Sequence, residues 1–112
     1  MQIAPFTVEL GASTEYQPLL DGVPQTRGLR SGKVTLLPGE DVGEHSTKDN
    51  EEVLVVLSGK GKVVCKGVQS FTINTRTIGY IPPFTTHNVI NTSEEPLEYI
   101  YIVAPVRDEN AG

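Results

Sequence analysis

Two histidines, His45 and His87, and the carboxylate of Glu52 are the residues of this chain whose types could do chemistry together. They lie in the stretches GEDVGEHSTKDNEEVLVVLSG, from Gly39 to Gly59, and IGYIPPFTTHNVIN, from Ile78 to Asn91. Two imidazoles and one carboxylate form a donor set that leaves coordination positions open on an octahedral ion. Open positions are what a catalytic metal needs, because substrate or water binds there. Spacing alone also allows the commoner role of a strand histidine, a hydrogen-bonded core or surface residue. The fold has to assemble the set. Residues seven apart on one continuous strand face opposite ways and lie roughly 23 Å apart, so His45 and Glu52 meet only if the chain turns between them. The short polar run Ser46 to Asn50, STKDN, suits that turn, because such side chains bond their own backbone. A hairpin-like bend with His45 facing Glu52 is expected.

The elements that must position these groups read as strands. Ile3 to Leu10 alternates Phe6, Val8 and Leu10 against Thr7 and Glu9, the pattern of a half-buried strand. Gly11 to Gln25, with its Gly, Ser, Pro and Asp punctuation, reads as an arm or loop. Arg27 to Leu37 reads as strand up to the turn at Pro38-Gly39. Arg27 and Arg30 are candidates to hold an acidic substrate, set against the commoner solvated surface arginine. The run VLVVL from Val53 to Leu57 is apolar at every position, so both of its faces should be covered, with Glu52, Leu54 and Val56 on one of them. Val68 to Ile73 and Thr77 to Ile81 follow as strands. His87, Val89 and Asn91 share a face. In Leu97 to Val103 the charged Glu98 marks its own face as outer, which turns Tyr99 and Tyr101 inward, where a buried phenol needs a partner. Their roles are core packing or the wall of a ligand pocket, and Cys65 falls inward as a small hydrophobe. Helical periodicity over a dozen residues is missing, and the chain reads as all-β.

At 112 residues the chain is expected to form one domain. Its formal net charge of −5, with nine Lys and Arg scattered along it, provides no basic footprint for nucleic acid or anionic lipid. A single cysteine cannot form an internal disulfide, and no segment approaches a membrane-spanning run of about 18 apolar residues. The expectation is a cytoplasmic protein without nucleic-acid or membrane partners. Val53, Val55, Leu57, Ile100 and Ile102 would form a second covered face, which predicts a homodimer.

The two stretches resemble the motifs of the cupin family. The family's first motif is Gly, five residues, His-x-His, three or four residues, Glu, six residues and Gly; this chain runs Gly39, His45-Ser46-Thr47, Glu52, Gly59 at those spacings. Of the second motif it has Pro82-Pro83-Phe84, His87 after two residues, and Asn91 after three more. Thr47 replaces the second histidine, Phe84 a usual glycine, and Arg76 the opening glycine. The resemblance implies a double-stranded β-helix, a jelly-roll-like β-barrel, over residues 27–112, preceded by a strand and arm over 1–26. It also implies a divalent ion, Fe, Mn, Ni or Zn, on His45, Glu52 and His87, or a site left without metal by the missing histidine. Thr47, Asn91, Tyr99 and Tyr101 are the expected pocket residues, Thr47 either orienting a water or serving the turn. The implied ligand is a small oxygen-rich molecule, a sugar, sugar phosphate or organic acid. Family relatives include isomerases and dioxygenases, and a non-catalytic binding or sensing protein is the alternative. With both histidines on a metal, proton transfer would fall to bound water, to a carboxylate, or to a tyrosine such as Tyr80, Tyr99 or Tyr101. Phe84 is expected to narrow the pocket mouth.

Overall fold

Short apolar alternations broken by Gly, Pro, Ser and Asn turns can only bury their apolar sides by pairing into sheets, and the chain does so throughout. The computed structural model describes residues 2–107, which form nine strands and, among these described residues, no helix. They are β1 (Gln17–Asp21), β2 (Arg30–Leu36), β3 (His45–Ser46), β4 (Asn50–Ser58), β5 (Lys60–Cys65), β6 (Phe71–Asn74), β7 (Ile78–Ile81), β8 (Thr86–Ile90) and β9 (Leu97–Pro105). A five-stranded sheet has the order β1-β2-β9-β4-β7, and a four-stranded sheet the order β3-β8-β5-β6, all pairs antiparallel. From β2 onward the chain passes from one sheet to the other at almost every connection, the winding expected of a double-stranded β-helix. Residues 108–112 of the expected barrel span, and Met1, lie outside the described residues.

The inner faces follow strand parity. Glu52, Leu54 and Val56 are buried, and Val53, Val55 and Leu57 between them are half-buried. Leu36, Leu54, Val56, Val63, Ile73, Ile81, Val89, Leu97 and Tyr99 form the core between the sheets. Complete burial of each such aliphatic side chain stabilises the fold by about 1.5–3 kcal/mol. Across the five-stranded sheet the inner face runs in rows: Val34, Tyr99 and Val56, then Gly32, Tyr101 and Leu54, then Arg30, Val103 and Glu52. The first row belongs to the core. Polarity rises toward the third, and that end carries the site.

Three expectations are corrected here. Residues 3–10 form no strand, and Phe6, Val8 and Leu10 are exposed. An alternating segment still needs an edge to pair with, and the free edge of β2 is taken by β1, which arises within the segment expected to be loop. The arm is tied down locally instead: Gly11 N donates to Gln17 Oε1 at 2.8 Å, and Gln17 Nε2 donates to Glu9 O at 2.9 Å. The arm also covers the outer face of β2. There Lys33, 1% exposed, donates from Nζ to Ser13 O at 3.0 Å, with Glu98 Oε2 at a looser 3.7 Å. Finally, the expected strand from Val68 begins only at Phe71, leaving Val68 exposed in the preceding turn.

Candidate functional site

His45 of β3 and His87 of β8 are register partners in the four-stranded sheet, with ring centroids 4.3 Å apart. Glu52 comes from β4 of the facing sheet. One donor atom from each of the three lies within 4.8 Å of the others. The convergence is the expected one, but the device is not a hairpin. β3 and β4 belong to different sheets, and STKDN carries the chain across between them, so His45 and Glu52 meet across the interior rather than across a ladder. Lys48 adopts a left-handed φ of 54° in this crossover, its N–H donating to Ser46 Oγ, and Asn50 donates to Thr47 O from both its backbone and its side chain. Glu52 and His87 are buried, while His45 stands exposed at the mouth.

Both imidazoles are oriented in the same way. His45 Nδ1 lies 2.9 Å from Gly43 O, and His87 Nδ1 lies 3.0 Å from Thr85 O, each two residues earlier. A carbonyl only accepts, so each Nδ1 carries the hydrogen and each Nε2 presents its lone pair. His87 Nε2 is buried without a hydrogen-bond partner and sits 3.5 Å from Glu52 Oε1, also an acceptor. Two acceptors facing each other in a buried site call for a cation between them. A proton serves in part: burial lowers the His87 pKa, but the facing Glu52 carboxylate and the Thr85 carbonyl, both of which favour the protonated ring, outweigh it, and the net shift is upward. A divalent ion fits the same place, with two nitrogens and a carboxylate oxygen turned toward it and the outer nitrogens held by carbonyls.

Two of the three groups, His45 and Glu52, open into a cavity of about 540 Å³ lined also by Tyr16, Arg30, Val34, Val42, Ser46, Thr47, Asn50, Val89, Tyr99, Tyr101 and Val103, while His87 is buried outside that lining. Tyr99 and Tyr101 therefore stand where parity put them. Burial, then the charge of Glu52, pushes the Tyr99 hydroxyl well above its ordinary range. Burial, then the hydrogen bond with Tyr16, does the same to Tyr101. Both phenols keep their protons at neutral pH. Tyr80 lies outside the cavity lining, and its hydroxyl donates to Glu51 Oε1 at 2.9 Å on the outer face.

Other expected residues are placed differently. Thr47 reaches the lining, but its hydroxyl donates to Pro82 O at 2.7 Å and accepts from Thr85 N at 3.0 Å, the turn role rather than an orienting one. Asn91 does not reach the cavity. Its Nδ2 donates to Leu36 O and Glu95 O, and its Oδ1 accepts from Ser93, because a buried amide beside a turn is satisfied most readily by that turn's backbone. Phe84 does not narrow the mouth; it is 78% exposed at a turn tip with φ 54°. Sequence reading missed Tyr16, which arrives from the arm and has no signal in its own neighbourhood. Of the two arginines named as candidates for an acidic substrate, Arg30, which shares parity with Val34 and Leu36, lines the cavity, and Arg27 does not.

A family model described as a cupin domain matches residues 32–103. Glucose-6-phosphate isomerase of Pyrococcus abyssi is 34% identical over 62 residues, covering 52% of this chain and 33% of the relative. The chain thus spans about a third of the length of the curated relatives it matches. A cupin family protein with a double-stranded β-helix fold from Methanocaldococcus jannaschii superposes with a TM-score of 0.75 at 16% identity over 94% of both chains. A predicted oxalate decarboxylase from Thermotoga maritima gives 0.64 at 19% identity, over 88% of this chain and all of that one. At such identities the two structures speak for the fold alone.

Proposed function

The chain belongs to the cupin domain family, and on that premise we propose that it holds a divalent ion, Fe, Mn, Ni or Zn, on His45, Glu52 and His87 and acts on a small oxygen-rich molecule in the adjoining cavity. The observation that carries the reading is the meeting of three donor groups within 4.8 Å, with both Nδ1 atoms already engaged and the buried His87 Nε2 unpartnered. A bound ion would supply Lewis acidity to substrate oxygens. Tyr99 and Tyr101 offer polar hydroxyl groups beside them, and Val34, Val89 and Val103 provide apolar wall. The cavity's size suits a sugar, sugar phosphate or organic acid rather than a polymer. The match to glucose-6-phosphate isomerase, over half of this chain, favours isomerisation over dioxygenation. A non-catalytic binding role is the second reading, favoured by Thr47, whose commitment to backbone leaves no fourth protein ligand at that position.

The proposal extends to a homodimer through the half-buried outer stripe of Val53, Val55, Leu57, Ile100 and Ile102, flanked by Ile78 at 72% exposure. A cytoplasmic setting without nucleic-acid or membrane partners is part of the same proposal; among the described residues no helix is long and apolar enough to cross a membrane. Elemental analysis of protein purified without added metal tests the central reading. Near-stoichiometric divalent metal is expected, and its loss in Glu52→Ala; a metal-free wild type that also fails to take up any of the four ions would overturn it.

A further inference from the structure

Arg30 of β2 is the register partner of Val103 in β9, and Val103 is the partner of Glu52 in β4. Neighbouring strands are about 4.8 Å apart, so the Arg30 and Glu52 backbones lie on the order of 10 Å apart in one row. Both side chains line the cavity, Glu52 at the metal ligands and Arg30 at the rim. Side chains on one face stand roughly parallel, and Val103 between them also lines the cavity, so a ligand a few bonds long would reach from one to the other across Val103. Arg30 is the single cationic side chain in the lining, and Glu52 the single carboxylate. Among the described residues no carboxylate lies within ion-pair distance of Arg30, although Lys33 and Lys66 each have one.

The neighbouring row shapes the space beside it. Gly32 has no Cβ, and one added there would collide with Tyr16 and come within 2.7 Å of Tyr101 Cε2. The Tyr16 ring therefore lies over Gly32 and stacks on Tyr101, with centroids 6.4 Å apart and planes 15° from parallel, and the two hydroxyls share a hydrogen bond. Arg30 is close enough for its charge to act on the Tyr101 hydroxyl. The stem of Arg30 lies against the backbone of Gly22, where a Cβ would sit 3.1 Å from Arg30 Cγ. One wall of the cavity thus combines a guanidinium that has no counter-ion among the described residues with a pair of phenols.

We propose that the cavity selects ligands carrying an anionic group, carboxylate or phosphate, beyond the oxygens that meet the metal, and that Arg30 is the specificity-determining residue that receives it. A planar guanidinium matches either anion with two parallel hydrogen bonds, which a neutral sugar hydroxyl cannot return. The far end of the ligand rests on the metal site proposed above, while the Arg30 end does not. A divalent ion would also offset the Glu52 charge, which otherwise repels an acid at the back of the cavity.

The test is calorimetric titration of zinc-loaded protein with malate, with 3-phosphoglycerate, and with 2-hydroxybutyrate, which has a methyl group in place of malate's second carboxylate. At least one of the two compounds with a second anionic group should bind about tenfold or more tightly than 2-hydroxybutyrate, the scale of one charge-assisted contact at a solvent-facing rim. Malate against 3-phosphoglycerate tells carboxylate from phosphate. Arg30→Gln should reduce the preference to about twofold or less, and Arg30→Lys, which keeps the charge but not the fork, should retain part of it. A preference unchanged in Arg30→Gln overturns the proposal, as does the absence of binding by all three compounds. The same titrations on metal-free protein separate the two readings. Affinities that are unchanged without metal, with a preference that still depends on Arg30, sink the metal contact and leave the anion anchor standing.

Discussion

His87 is the residue on which the metal reading turns, because its tautomer, burial and facing carboxylate all follow from atoms of this chain. Its pKa is raised above the ordinary 6.5 in the metal-free fold. A proton bound more tightly by the folded state contributes stability that is fully present below pH 6.5 and is lost as pH rises through the folded value. Metal binding requires the deprotonated ring, so its dependence runs the other way. Dialysis at about pH 8 should retain the ion and dialysis at about pH 5 should release it, while thermal melts of metal-free protein should show the opposite trend in this increment. Identical metal content at both values would count against His87 as a ligand. Thr47 makes a separate case. Thr47→Val keeps the shape but leaves Pro82 O and Thr85 N without their hydroxyl partner in a buried turn. The expected loss of stability is about 1–3 kcal/mol, read as a lower denaturation midpoint, with metal content unchanged. Loss of metal with normal stability would instead assign Thr47 an orienting role.

Among the elements, the crossovers between sheets hold the unfavourable backbone. Among the described residues Lys48, Arg76 and Phe84 are the non-glycine residues with positive φ, at 54°, 66° and 54°, and Lys48 and Phe84 are joined by Phe84 N donating to Lys48 O at 2.7 Å. Two of the three, Arg76 and Phe84, stand where the family pattern has glycine, and the backbone has kept the conformation that glycine would adopt. Phe84 is mostly exposed, so removing its ring sacrifices little packing. Phe84→Gly should therefore raise stability by about 1 kcal/mol, the left-handed penalty relieved in part against the greater freedom of glycine in the unfolded chain. Chemical denaturation would measure it, and a destabilised variant would mean that the exposed ring makes contacts the turn depends on.

For the whole molecule, the outer face of the five-stranded sheet decides whether the barrel stands alone. The arm covers this face over β2, where it buries Lys33. Along β4 and β9 the apolar stripe remains half-buried, and Ile78 on β7 extends it. Stable interfaces bury on the order of 1,600 Å² in total, and a sheet face with its flanking arm can supply one partner's share. Light scattering at micromolar concentration should report a dimer mass, and Val55→Glu should shift it to the monomer with the β-sheet signal in circular dichroism retained. A monomer in the wild type would refute the dimer directly.

What the sequence determined by itself was the parity of each strand and therefore the facing of His87, Glu52, Tyr99 and Tyr101, because a two-residue period leaves a side chain only two directions. The turn residues and the two spaced motifs likewise made the all-β winding legible, since local backbone bonding and the alternation of apolar residues act within a few positions of the chain. Only the tertiary structure decided which edges were free to pair. It therefore decided that residues 3–10 lie outside the sheet, that β1 forms at Gln17, and that Tyr16 swings over Gly32 into the cavity. It also decided that Asn91 bonds its own turn and that Arg30 and Glu52 share a row. Their pairing runs through Val103, more than fifty residues from Glu52 and more than seventy from Arg30, and contact across that separation is set by how the strands are ordered rather than by any residue's neighbours in sequence.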